Sequence, residues 1–157
     1  LAERVEQVLE LCALRGREEE HPFDLSASER QWLALASLLA METPVLVLDE
    51  PGSSFDDEQL RRLQTLLIDL KAAGRTLLLV SHDLQFVAEV ADEVVVLQRG
   101  RVLAQGPSER ILRERTLLQE ANLDAPAALA LAERLGLGAL LREEELRAAI
   151  ARPDSAP

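Results

Sequence analysis

No Gly-Lys pair occurs anywhere in these 157 residues, and the only lysine, Lys71, follows Leu70. A Gly-rich loop that cradles phosphates with its backbone and a lysine is therefore missing from the sequence. Basic residues are scarce overall: 17 Lys and Arg stand against 28 Asp and Glu, for a net charge of -11. That balance argues against nucleic-acid binding by phosphate neutralisation, which needs a basic face, and gives no reason to expect direct lipid binding. The single cysteine, Cys12, can form no internal disulfide, which suits a reducing compartment. Its helical apolar spacing marks it as a small buried hydrophobe rather than a reactive thiol. Long apolar runs are also absent. The longest mostly apolar stretch, Trp32 to Met41, is about half of the ~20 residues a bilayer span requires. No secretory leader is visible. The chain opens Leu-Ala-Glu-Arg without an initiating Met and inside an amphipathic pattern, so a segment beginning mid-protein is expected.

What is present is the composition of a globular domain, 48% hydrophobic and 29% charged, long enough to bury a core. Val5, Val8, Leu9 and Cys12 recur at helical steps, predicting an amphipathic helix over 2–14 that Gly16 ends. After a polar run and the loop at Pro22 to Leu25, a second helix from Ala27 to Met41 is apolar on nearly all sides and is expected to be central. Thr43-Pro44 breaks it and launches a strand at 45–48. Four successive apolar residues there predict cover on both faces, as in parallel sheets. Asp56 or Asp57 caps a third helix carried by Leu60, Leu63, Leu67 and Leu70 and closed by Gly74.

Thr76 to Val80 reads as a second buried strand, followed by a short helix at 84–91 and a third strand at 93–97. Arg99-Gly100 then turns the chain into a hairpin through Val102 to Gln105. Strand, helix, strand, helix, strand predicts an α/β fold with a parallel sheet. Past Gly106-Pro107 the pattern is helical, at 108–114, 116–121, 127–136 and 139–151, with a break at 122–126. Residues 153–157 are expected to form a frayed tail. The implied division is a helical region at 1–43, a core at 44–106 and a helical C-terminal extension at 107–157.

The chemistry concentrates at Val45-Leu46-Val47-Leu48-Asp49-Glu50. Two adjacent carboxylates close a buried strand at the end where open α/β sheets bind ligands. With a nucleotide there, Asp49 helps hold Mg2+ and Glu50 orients or polarises the attacking water. A strand that merely ends in solvated acids explains the same residues. Three further stretches change that balance: Leu25-Ser26-Ala27-Ser28-Glu29 before the second helix, Ser53-Ser54-Phe55-Asp56 after the acidic pair, and Ser81-His82-Asp83 after the next strand.

In this order the set resembles the C-terminal half of an ATP-binding-cassette (ABC) ATPase. Residues 25–29 are similar to the family's signature motif, 45–50 to its Walker B strand and catalytic glutamate, 53–56 to its D-loop, and His82 to its switch histidine. The resemblance continues through Ala91 to Leu97, Gly100-Arg101-Val102 and Gly106. Leu35 to Met41, Leu117 to Ala121 and Leu131 to Gly136 are most similar to energy-coupling-factor importers, including cobalt and vitamin types. It implies a partial P-loop NTPase fold lacking the Walker A strand, with a helical signature region and a small helical extension.

The resemblance further implies that Ser26, Ala27, Ser28, Glu29 and Asp56 contact ATP, that Asp49 serves Mg2+, and that Glu50 and His82 are catalytic. Two cassettes face each other in the family, each offering its signature to the other's nucleotide. The expected partners are thus a second ABC ATPase subunit and transmembrane transporter subunits, which select the substrate, at the cytoplasmic face of the cell membrane. Ser26 and Glu29 also spell a Ser-x-x-Glu capping box, worth ~1 kcal/mol without any nucleotide, and both roles are compatible.

Several positions depart from the family pattern. Ala27 and Ser28 replace two glycines and add a Cβ where backbone approaches phosphate. Trp32 stands in place of a basic residue, as packing residues do, and Gly52 in place of a threonine. His82 can equally be a polar residue that closes a strand, and His21 beside Pro22 is read as structural.

The missing Walker A strand belongs, in the family, between the strand at 76–80 and the strand at 93–97. Its absence predicts an empty strand position whose backbone groups, if buried and unsatisfied, cost ~1 to 3 kcal/mol each against a domain stability of ~5 to 15 kcal/mol. A fragment, a truncated reading frame or a chain that recovers the strand from elsewhere is expected. The functional expectation is the catalytic and signature half of an importer ATPase, inactive alone. The alternatives are a non-enzymatic dimerisation module that donates its signature to a partner cassette, and the C-terminal lobe of a chromosome-maintenance or DNA-repair ATPase. The lack of an upstream coiled coil counts against the last.

Overall fold

The computed structural model describes residues 2–151. They divide into two compact units, one up to Val80 and the other from Ser81 onward. The first contains helices α1 (Ala2–Leu11), α2 (Ala27–Ala40) and α3 (Asp57–Ala72) with strands β1 (Val45–Asp49) and β2 (Thr76–Val80). The second contains α4 (Leu84–Val90), the strands β3 (Glu93–Gln98) and β4 (Arg101–Pro107), and helices α5 (Ser108–Arg113), α6 (Arg115–Glu120), α7 (Ala127–Arg134) and α8 (Glu143–Ile150). The expected frayed tail at 153–157 lies outside the described residues. Among the described residues no helix is long and apolar enough to cross a membrane.

In the first unit α1 ends earlier than its periodicity predicts. Ala13 takes a left-handed φ of +54°, and the Leu14 N–H closes the helix end on the Leu9 C=O at 2.8 Å. A left-handed residue after the last turn is a standard helix stop, and here it precedes Gly16. Helix α2 buries one stripe, Trp32, Leu35, Ala36 and Leu39, while Ala34 and Ser37 are exposed; it is an edge helix rather than a central one. Asp56 caps α3, accepting the Gln59 N–H at 2.8 Å. Gly74, with φ of +85°, closes that helix as the sequence suggests, the Arg75 N–H reaching the Leu70 C=O at 3.0 Å.

Through α3, β1 and β2 form a parallel pair in register from Val45 opposite Thr76 to Asp49 opposite Val80. Cover on both faces is not observed. Leu46 and Leu48 are 2% and 6% exposed, whereas Val45, Val47, Leu78 and Val80 are 52%, 58%, 57% and 52% exposed. The strands carry the aliphatic composition of a doubly covered sheet, but only one face is packed. Among the described residues β2 has a ladder on its β1 edge alone. The anticipated hydrogen-bonding penalty does not arise, because no residue of β2 is buried and its edge groups lie within reach of water. The liability is the bare aliphatic face.

In the second unit β3 and β4 pair antiparallel with an irregularity between Val96 and Leu97. Arg99 and Gly100 both have positive φ, +48° and +74°, the combination that matches a two-residue turn to strand twist. Leu84 and Ala88 of α4 pack with Leu112, Leu118, Leu129 and Leu141, and Ala128, Ala132 and Leu146 form a smaller cluster. Gln85 ties these pieces together, accepting the Ala128 N–H at 2.9 Å and donating to the Leu141 C=O at 3.2 Å. Helix α8 starts at Glu143 rather than near 139 because Arg142 is extended, at φ of -99° and ψ of 146°, with the Leu141 and Arg142 N–H groups capped by the Glu145 carboxylate at 3.1 and 3.2 Å.

Candidate functional site

The first unit holds most of the expected site residues. Asp49 is the last residue of β1 and is exposed. Glu50 follows it at a left-handed φ of +45°, its N–H donating to the Val80 C=O at 2.8 Å. A turn then forms, with the Ser53 N–H on the Glu50 C=O at 3.2 Å and the Phe55 N–H on the Gly52 C=O at 3.0 Å. Gly52 is tightly enclosed: an added Cβ would lie 2.6 Å from Leu60 Cδ1, so a threonine here would require Leu60 to shift.

At the start of α2 the capping box is complete. Ser26 Oγ accepts the Glu29 N–H at 3.3 Å, and the Ser26 N–H donates to the Glu29 carboxylate at 2.8 Å. Arg17 adds an ion pair to Glu29 at 3.0 Å, and Arg30 donates to the Leu25 C=O. Hydrogen bonds from the Ser26 side chain and backbone, with the nearby Arg17 charge, hold the Glu29 carboxyl below its ordinary pKa. Ser26 and Ala27 are exposed and Ser28 is half-buried.

Two contacts bind this helix to the acidic turn that no sequence motif announces. Gln31 Nε2 donates to the Glu50 C=O at 2.9 Å and lies 3.4 Å from Ser53 Oγ, and Gln31 Oε1 accepts the Ser54 N–H at 3.1 Å. Beside it, the Trp32 ring stacks on Phe55 at 4.8 Å between centroids and 18° between planes, with the Arg62 guanidinium 4.8 Å from the Trp32 ring centroid. Trp32 is 3% exposed, so its place in the family pattern is taken by packing. Residues nineteen and more positions apart leave no local periodicity that would reveal these ties.

In the second unit His82 is exposed and lies inside a tight helix cap. The Asp83 N–H donates to Ser81 Oγ at 3.1 Å, and the Asp83 carboxylate accepts the N–H groups of Gln85 and Phe86 at 3.0 Å each. His21 stacks on Phe23 at 5.4 Å and accepts its N–H, a local loop contact. Asp56 is engaged as the α3 cap.

Among the described residues no group of three or more His, Cys, Asp or Glu gathers as a metal cage. A lone strand-end carboxylate such as Asp49 fits Mg2+ nonetheless, since that ion takes one or two protein carboxylates and completes its shell with phosphates and water. No group in the chain answers to the lysine of a phosphate loop, so the residues present fit only part of a nucleotide site.

No protein-family profile matches the chain. It is 35% identical over 133 residues to an energy-coupling factor transporter ATP-binding protein of Methanothermobacter thermautotrophicus, covering 85% of this chain and 43% of that protein. It is 33% identical over 131 residues to another from Methanospirillum hungatei, covering 83% of this chain and 33% of that one. Among solved structures it is similar to cbiO1 from Clostridium perfringens, part of the ABC transporter complex cbiONQ, with a TM-score of 0.64, 27% identity, and coverage of 87% and 52% of the two chains. An ATP-binding cassette of an ABC transporter, 21% identical, shares the fold with a TM-score of 0.68. The chain spans between 21% and 55% of the length of the curated relatives it matches. With the signature-like turn, acidic strand end and histidine cap in the order that the resemblance requires, the chain belongs to the ATP-binding proteins of ABC transporters and represents the C-terminal half of their cassette.

Proposed function

We propose that this chain supplies the signature, Walker B and switch-histidine elements of an ATP-hydrolysing subunit that drives an importer of the energy-coupling-factor type. The observation that carries this is the βαβ unit with Asp49 and Glu50 at the carboxyl end of β1, where α/β sheets bind ligands. ATP with Mg2+ would supply the reactive phosphoryl group. Asp49 would hold the ion, Glu50 would orient the attacking water and accept its proton, and His82 would donate a hydrogen bond to the terminal phosphate. Ser26, Ala27, Ser28 and Glu29 would present backbone N–H groups at a helix start to a partner's nucleotide, and Asp56 would belong to the loop lining that interface.

The phosphate cradle is the component that the sequence does not contain, so the 157-residue chain alone is inactive on this reading. Its partners would be a second ATPase subunit and transmembrane subunits at the cytoplasmic face of the membrane. ATP turnover is to be measured for this chain alone, for this chain mixed with a complete cassette, and for a cassette in which it follows a Gly-rich lysine loop. Activity is expected only in the last form, and Glu50→Gln should abolish it. Undiminished turnover by Glu50→Gln would refute the catalytic role. Stimulation of the complete cassette by the chain in trans would instead establish it as a signature-donating module without turnover of its own.

A further inference from the structure

We infer that Gln31 is a positioning residue: its side-chain amide holds the turn after β1 in the one conformation that aims the Glu50 carboxylate. This rests on the role of Glu50 proposed above. A glutamine amide can donate and accept at once, and Gln31 does both on one turn, donating to the Glu50 C=O and accepting the Ser54 N–H. The Glu50 N–H is fixed separately by the Val80 C=O. The peptide groups on either side of the Glu50 Cα are therefore anchored to different elements, β2 before it and α2 after it. With both planes held, the direction of the Glu50 Cα–Cβ bond is set.

The backbone angle shows that this restraint matters. A φ of +45° at Glu50 is sparsely populated for any residue with a Cβ and persists where the surroundings over-determine it. Without the Gln31 amide, the peptide after Glu50 keeps only the longer 3.2 Å bond from the Ser53 N–H, a contact within the turn itself, and can rotate toward an ordinary angle, carrying the carboxylate with it. The neighbouring Trp32–Phe55 stack keeps the far end of the turn packed but makes no directional bond to Glu50. Gln31 lies on the helix whose first turn is Ser26–Glu29, so the same helix carries the signature and orients the carboxylate.

Two variants test this. Gln31→Ala removes both arms, whereas Gln31→Glu keeps an acceptor for Ser54 and replaces the donor to Glu50 with an oxygen. In the 157-residue chain without nucleotide, Gln31→Ala should speed hydrogen exchange at the Ser54 amide about tenfold, and Gln31→Glu should leave it within about threefold. In the cassette that joins this segment to a Gly-rich lysine loop, both variants should lower kcat by about tenfold or more with KM for ATP changed less than about twofold, as expected for lost orientation rather than lost binding. Far-UV circular dichroism checks that α2 is intact, and Gln31→Glu decides the case should Gln31→Ala lose helix. Unchanged kcat in Gln31→Glu, with Glu50→Gln inactive, overturns the proposal, as does unchanged Ser54 exchange in a folded Gln31→Ala. Full activity of Glu50→Gln overturns the assignment of Glu50 instead, and the exchange measurement, made without ATP, keeps the two failures apart.

Discussion

Trp32 is where the first unit is most exposed to a single perturbation. Its indole is 3% exposed and carries Phe55 stacked at 4.8 Å and Arg62 at 4.8 Å from the ring centroid. Cutting it to alanine removes the largest side chain in this part of the core and leaves a cavity between α2, α3 and the turn at 50–55. Large-to-small changes of this kind cost about 3 to 5 kcal/mol, about a fifth or more of a typical domain stability of ~5 to 15 kcal/mol. With a urea slope of about 2 kcal/mol/M, the unfolding midpoint of Trp32→Ala should fall by about 2 M. Circular dichroism is the assay, since the mutation deletes the only tryptophan. The stack should appear as a coupling of about 0.5 to 1.5 kcal/mol in a double-mutant cycle with Phe55→Ala, and the cation–π contact as about 0.5 to 1 kcal/mol with Arg62→Ala. A loss below about 1.5 kcal/mol, or no coupling to Phe55, would refute the view that this triplet holds the turn to the helix.

Burial pushes the Cys12 thiol up to about 11, so near pH 8 only about one thiol in a thousand is ionised; a disulfide-exchange reagent should label it only after denaturation, and rapid labelling of the native chain would count against its burial. The two faces of β1 should respond oppositely to charge. Leu46→Asp should cost about 3 kcal/mol or more, whereas Val47→Asp should change stability by less than about 1 kcal/mol and raise solubility; equal losses in denaturant melts would show that the outer face is covered. Glu29 has a folded-state pKa below its ordinary value, through hydrogen bonds from Ser26 and then the Arg17 charge. A depressed carboxylate stabilises the fold above the unfolded pKa and loses that contribution as pH falls through the folded one. The acid limb of the stability curve should thus flatten in Glu29→Gln, and an unaltered limb would contradict the cap.

Much of the fold is legible in sequence because it depends on local rules. Asp56 with Gln59, Ser26 with Glu29, and Gly74 after α3 each act within a few residues, and each forms the cap or stop that its spacing suggests. The strand positions and the Arg99-Gly100 turn follow for the same reason. The misreadings have two physical origins. Helix ends at Leu11 and Arg134 are set by left-handed residues, Ala13 and Gly136, and in the first case by an alanine that no propensity would select; the start at Glu143 is set by the extended Arg142. The apolar runs at 45–48 and 76–80 report what the strands can bury, whereas the structure shows what they do bury; composition fixes the capacity of a face, not whether anything covers it. In the site, chemistry-bearing residues are recognisable by type and order, but their support is not: Gln31 and Trp32 act on residues about twenty positions downstream through contacts that obey no period.

The backbone at Glu50 connects these observations. A left-handed residue with a Cβ costs about 1 to 2 kcal/mol relative to an ordinary angle, and glycine would relieve that cost outright. The position nevertheless carries glutamate, the end of β1 leads directly into it, and two hydrogen bonds tie its flanking peptide groups to other elements, one donated to the Val80 C=O of β2 and one accepted from Gln31 of α2. Each contributes ~0.5 to 1.5 kcal/mol net, enough together to offset the strain and little more. Glu50 is only half-buried and belongs to no hydrophobic cluster, so apolar packing does not select a side chain where the backbone favours glycine. On the role proposed for Glu50, the turn presents a carboxylate beyond the end of the strand, and the Gln31 amide, the Ser53 N–H and the Val80 carbonyl hold its backbone in place.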